Sequence, residues 1–122
     1  MTNKPTRADR KYDLEERTGE FGEEIIRFCQ SVPKNEITKP LINQLIKCGT
    51  SVGANFCEAD DAESKADFKH KIGICKKESR ETKHFLRMFL TATKENTEDI
   101  KKLLNEDREL NLIFNSIYNK LK

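Results

Sequence analysis

The chain has 122 residues, of which 36% are charged and 35% hydrophobic, with three prolines, five glycines and no tryptophan. That length leaves no room for a second domain of ordinary size, yet suffices for one core without metal or disulfide staples, and the composition is that of a long-helix protein, not a β-rich or disordered one. With 23 basic against 21 acidic residues the net charge is only +2, which excludes the strong overall field that phosphate binding usually exploits.

The segment Met1 to Lys11 is basic and polar, with no apolar stretch behind it that would make it a secretory signal. A flexible basic arm is expected over 1–12, ahead of a helical domain over 13–122. The longest apolar runs, such as Met88-Phe89-Leu90 and Leu112-Ile113-Phe114, fall far short of the ~20 residues a bilayer span needs. No membrane association is expected.

From Leu14 the apolar positions Leu14, Phe21, Ile25, Phe28 and Cys29 recur in steps of three and four, the mark of one helical stripe. This first helix is expected to begin near Asp13 and to end before Pro33, because a proline pushes its predecessor out of the helical region. Thr38 then offers a capping oxygen, with Pro40 in the first turn where its missing N–H costs nothing. The second stripe is Leu41, Leu45, Cys48, Val52, Phe56 and Ala59. Gly49, Gly53 and Ala54 lie along the same helix, and glycines inside a helix cost about 1 kcal/mol each, so close approach of a neighbouring helix is the expected reason for them.

Ser64-Lys65-Ala66-Asp67 is a capping-box variant with Asp in place of Glu or Gln. It opens a third helix with the stripe Phe68, Ile72, Cys75, Ser79, Thr82, Leu86 and Phe89, running to about Thr93. Thr97 is expected to cap a fourth helix whose first turn carries Glu98 and Asp99, the charge sign a helix N-terminus favours. Its stripe is Ile100, Leu103, Leu104, Leu110, Ile113, Phe114, Ile117, Tyr118 and Leu121. Four helices with one apolar face each and short polar links predict an all-α fold, an antiparallel up-down-up-down four-helix bundle.

Cys29, Cys48, Cys57 and Cys75 are scattered, with neither a C-x-x-C pair nor zinc-type histidine spacing. They are expected to be small hydrophobes of a reducing compartment, and the chain cytoplasmic. Glu81-Thr82-Lys83-His84 is a Glu-x-x-His, an element of di-iron bundles, but no second copy stands on another helix, and the other histidine, His70, shares the third helix. No nucleophile has a base and an orienting group, and no glycine-rich phosphate loop is present. The expectation is a protein without enzyme activity, metal or other cofactor.

Three pieces, Ser51-Val52-Gly53-Ala54-Asn55-Phe56-Cys57-Glu58-Ala59, then Ser64-Lys65-Ala66-Asp67-Phe68, then Lys77-Glu78-Ser79-Arg80-Glu81-Thr82, together resemble the signature of four-helix-bundle proteins related to the 23S rRNA intervening-sequence protein. The resemblance covers the second and third helices. It implies an up-down-up-down bundle, ring-shaped homopentamers, no enzyme activity, and kinship with basic, nucleic-acid-binding accessory proteins from which this chain departs in charge.

The polar residues of these motifs, Ser51, Asn55, Glu58, Ser64, Asp67, Glu78 and Glu81, need a reason. Asn55 and Glu58 lie roughly 60° and 120° from the centre of their stripe, on a flank and an outer face. They are read as setting helix register or a subunit interface by side-chain hydrogen bonds; a ligand or nucleic-acid contact and a metal role stand as alternatives. For nucleic acid, the candidate contacts are Lys65, Lys69, Lys76, Lys77, Arg80, Lys83 and Arg87, which helical spacing gathers on one side of the third helix. Their ordinary role would be a solvated face with pairs such as Asp67 with Lys71 and Lys77 with Glu81. Two functions follow: a homo-oligomeric scaffold with an unidentified partner, or an accessory factor that binds structured RNA or DNA.

Overall fold

The computed structural model describes residues 13–121, so the arm expected over 1–12 lies outside the described residues. Four helices follow in order: α1 (Leu14–Ser31), α2 (Thr38–Asp60), α3 (Lys65–Ala92) and α4 (Thr97–Lys120). The described residues contain no strand. Their number, order and bounds match the hydrophobic periods to within a residue or two.

The helix starts show which capping signals held. The Asp13 carboxylate accepts a hydrogen bond from the Glu16 N–H at 3.1 Å, and α1 stops at an extended Val32 ahead of Pro33. Ser64 Oγ accepts from the Asp67 N–H at 3.0 Å and starts α3. The other two caps differ from expectation. Thr38 is already inside α2, where its hydroxyl donates to the Pro33 carbonyl, and the orphan N–H groups of Ile37 and Thr38 are taken instead by Asn35 Oδ1, each at 2.9 Å. Thr97 is likewise the first residue of α4, with Asn96 before it and no side-chain cap; the acids Glu98 and Asp99 occupy the first turn as predicted.

Neighbouring helices are antiparallel on every side of the bundle. Residues 53 and 49 of α2 meet 18 and 25 of α1; Cys75 Sγ donates to the Val52 carbonyl between α3 and α2; Asn111 of α4 meets Ser79 of α3; and Arg17 of α1 meets Glu106 of α4. This is the up-down-up-down bundle, a square whose diagonal helices keep their backbones apart and meet through core side chains, Phe28 with Phe89 and Phe56 with Phe114. The seams α1–α2, α2–α3 and α3–α4 are closely packed, whereas α1 and α4 touch least.

Phe21, Ile25, Leu45, Val52, Ile72, Leu86, Phe89, Ile100, Leu110 and Phe114 fill the interior, with Phe28 and Phe89 edge to face at 5.2 Å. On α2 the buried phase runs through Ile42, and Leu41 and Phe56 are half-buried. The glycine expectation holds at two positions: a Cβ on Gly49 would come within 3.0 Å of the Ile25 side chain, and one on Gly53 within 3.2 Å of the Thr18 carbonyl oxygen. Ala54, in contrast, is exposed. Cys29, Cys48 and Cys75 are buried as small hydrophobes, but Cys57 is exposed, its thiol donating to Glu15 Oε1 at 3.7 Å. Among the described residues no helix is long and apolar enough to cross a membrane.

Candidate functional site

The motif residues gather on the outer side of the α2–α3 pair. Asn55 is half-buried and donates to the Ser51 carbonyl one turn back, and the Ser51 hydroxyl donates to the Lys47 carbonyl. Ser64 and Asp67 act on the start of their own helix. Glu58 alone of the set reaches across, accepting from Lys71 at 3.5 Å, so Lys71 bridges to α2 in place of the expected pair with Asp67. Glu78 is half-buried, and burial with the nearby Glu81 raises its pKa. Most of this polar row therefore makes its hydrogen bonds locally and presents the rest of its capacity outward.

The basic residues of α3 do not all share one surface. Lys69 and Lys76 lie over the ring of Tyr118, their Nζ atoms 4.8 and 4.1 Å from its centroid, which ties them to the end of α4. Arg80, Lys83 and Arg87 are exposed and, with Lys76, line a groove of about 620 Å³ between α3 and α4 that also takes in Arg108, His84 and Leu112. Lys65 and Lys77 are exposed and do not line this groove. His84 is exposed too, its ring edge to face with Phe85 at 5.0 Å, and among the described residues no three His, Cys, Asp or Glu side chains group as metal ligands.

The floor of this groove holds a residue the hydrophobic pattern missed. Asp107 is 1% exposed, and its Oδ1 has no hydrogen-bond partner among the described residues. Burial pushes its carboxyl up to about 8; Lys83 pulls it back and Glu106 adds to the rise. Beside it Asn111 Nδ2 donates to Ser79 Oγ at 2.6 Å and to the Lys76 carbonyl at 3.2 Å, and accepts through Oδ1 from Asn115 at 2.9 Å. A polar layer thus interrupts the α3–α4 seam. The signal was present in the sequence: Asp107 stands where the steps Ile100, Leu103, Leu110, Phe114 call for an apolar residue.

The loosely packed side between α1 and α4 carries a second groove, of about 760 Å³. Phe21, Phe28 and Leu103 form its floor, and its rim has five carboxylates, Glu20, Glu23, Glu24, Asp99 and Glu106, against the cations Arg27 and Lys102. At one end Arg17 holds Glu106 through two bonds of 2.7 and 2.8 Å and Glu109 through one of 3.0 Å. These contacts hold its guanidinium charged against the opposing cost of burial. The acidic character of this side went unread because α1 and α4 each contribute part of it.

Comparison with known proteins places the architecture among relatives. A crystal structure from Bacteroides thetaiotaomicron, described as a protein of unknown function from the S23 ribosomal protein family, is similar to this chain at 28% identity and a TM-score of 0.75. The similarity covers 86% of this chain and 97% of that one. No curated protein matches. The sequence profile of the family described as 23S rRNA-intervening sequence protein matches residues 10–116, and the chain belongs to that family.

Proposed function

We propose that the chain is a non-enzymatic, cytoplasmic, homo-oligomeric scaffold whose ring, of five copies by the resemblance, presents the α2–α3 polar row to a partner. The observation that supports this reading is the row itself: Ser51, Asn55, Glu58, Glu78 and Glu81 share an outer side, and only Glu58 bonds across to the neighbouring helix. Polar groups that do little for their own fold are available to another molecule. Light scattering coupled to gel filtration tests the assembly. A mass near five chains is expected, and a monomer at micromolar concentration refutes it.

A second reading has its own observation. Lys76, Arg80, Lys83 and Arg87 converge with Arg108 on one groove, a local cationic surface that the small net charge conceals, and such a surface fits structured RNA or DNA. Binding to rRNA fragments would then weaken steeply as salt rises, through counterion release, and charge reversal at Lys76, Arg80 and Lys83 would abolish it. Absence of binding at low salt removes this reading.

A further inference from the structure

We infer that the side left open between α1 and α4 receives the cationic row of α3 from a second copy of the chain, so that copies join head to tail. The inference rests on the homo-oligomeric reading above and specifies which surfaces meet.

Three features lead to it. The fold packs three of its four sides tightly and leaves the fourth as a groove whose floor is Phe21, Phe28 and Leu103. That floor is apolar, and the rim carries five carboxylates, of which Glu24 is paired with Arg27 and Glu106 with Arg17. Arg80, Lys83 and Arg87 on α3, joined by Arg108 of α4, offer the opposite sign on the neighbouring side, and Leu112, 56% exposed, lies among them as an apolar contact for the floor. An acidic rim and a cationic row around an exposed leucine are complementary in charge.

The placement of the two surfaces also limits the assembly. They are different patches, so the contact is heterologous and propagates from copy to copy until it closes. Both include α4 and lie on adjacent sides of the square. Faces turned roughly a right angle from each other close a ring after about four or five copies. Helix α4 then faces the ring axis and α2 the outside, which leaves the α2–α3 polar row exposed.

The test uses the full chain and charge exchange. Arg80→Glu/Arg87→Glu and Glu23→Lys/Glu24→Lys alter only exposed side chains, and each pair is expected to shift the assembly midpoint by about tenfold or more toward monomer. The chain carrying all four substitutions, in which the exchanged positions on the two surfaces are again opposite in sign, is expected to assemble again. Circular dichroism checks that each variant is folded, and Arg80→Gln/Arg87→Gln or Glu23→Gln/Glu24→Gln replaces the corresponding pair if it is not. A monomeric wild type refutes the oligomeric reading and the inference with it. An oligomeric wild type whose mass neither pair changes, or a four-substitution chain that stays dissociated, refutes the inference alone. Loss of rRNA-fragment binding with assembly intact in Arg80→Glu/Arg87→Glu also overturns it, and assigns the row to nucleic acid.

Discussion

Asp107→Asn is the substitution that probes the α3–α4 polar layer most directly. Folding takes this carboxyl from an ordinary value of 3.8 up to about 8, mainly by burial, with Glu106 adding to the rise and Lys83 opposing it. The sign follows from proton counts: between these two values the folded chain keeps a proton that the unfolded chain has released, so stability falls as pH rises through this window. The slope is about 1.4 kcal/mol per pH unit, and from the ordinary value to pH 7 the loss accumulates to about 4 kcal/mol, an upper figure because local relaxation reduces it. Asparagine has nearly the same shape and does not titrate. Urea unfolding followed by circular dichroism from pH 4 to 8.5 should therefore show wild type weakening with rising pH while Asp107→Asn stays nearly level. The gap between them should be small near pH 4 and largest near pH 8. A gap that stays constant from pH 5 to 8 would refute the reasoning, because it would mean the carboxyl titrates alike in both states.

Three further outcomes are expected. Gly19 has nothing within 4 Å of a built Cβ whereas Gly53 faces the Thr18 backbone, so thermal unfolding should show Gly19→Ala gaining about 0.5–1 kcal/mol and Gly53→Ala losing about 1–3 kcal/mol. Arg17→Ala removes the three bonds to Glu106 and Glu109, and denaturant titration should register a loss of about 1–3 kcal/mol. A thiol reagent applied to native protein should modify Cys57 alone: Cys29, Cys48 and Cys75 are buried, burial raises all three thiols, those of Cys29 and Cys75 to about 11 and about 12, and they should react only on unfolding.

Helix number, order and most of the core were readable because periodicity is a property of each segment by itself. Leu45, Val52, Ile72, Leu86 and Phe114 needed no partner to be identified as inward-facing. The capping errors at Thr38 and Thr97 have a different origin: a hydroxyl can donate backwards as well as accept, and Asn35, three residues upstream, competes for the same N–H groups. Asp107 was missed because a search for apolar spacing passes over a charged residue, even one whose place in the 3–4 rhythm marks it as internal. The candidate surfaces were only half legible. The cations of α3 lie on one helix and could be gathered by spacing, but the acidic groove is assembled from α1 and α4, more than 60 residues apart in the chain, and appears only once the bundle closes.

The weak seam between α1 and α4 also shapes how the molecule comes apart. Every tight pairing joins helices consecutive in the chain, so formation of the bundle requires mostly short loops and rapid, local steps. The α2–α3 hairpin is held on both flanks while each outer helix is anchored firmly on one, which makes the hairpin the kernel that opens last. Amide exchange should accordingly reach α1 and α4 before it reaches α2 and α3.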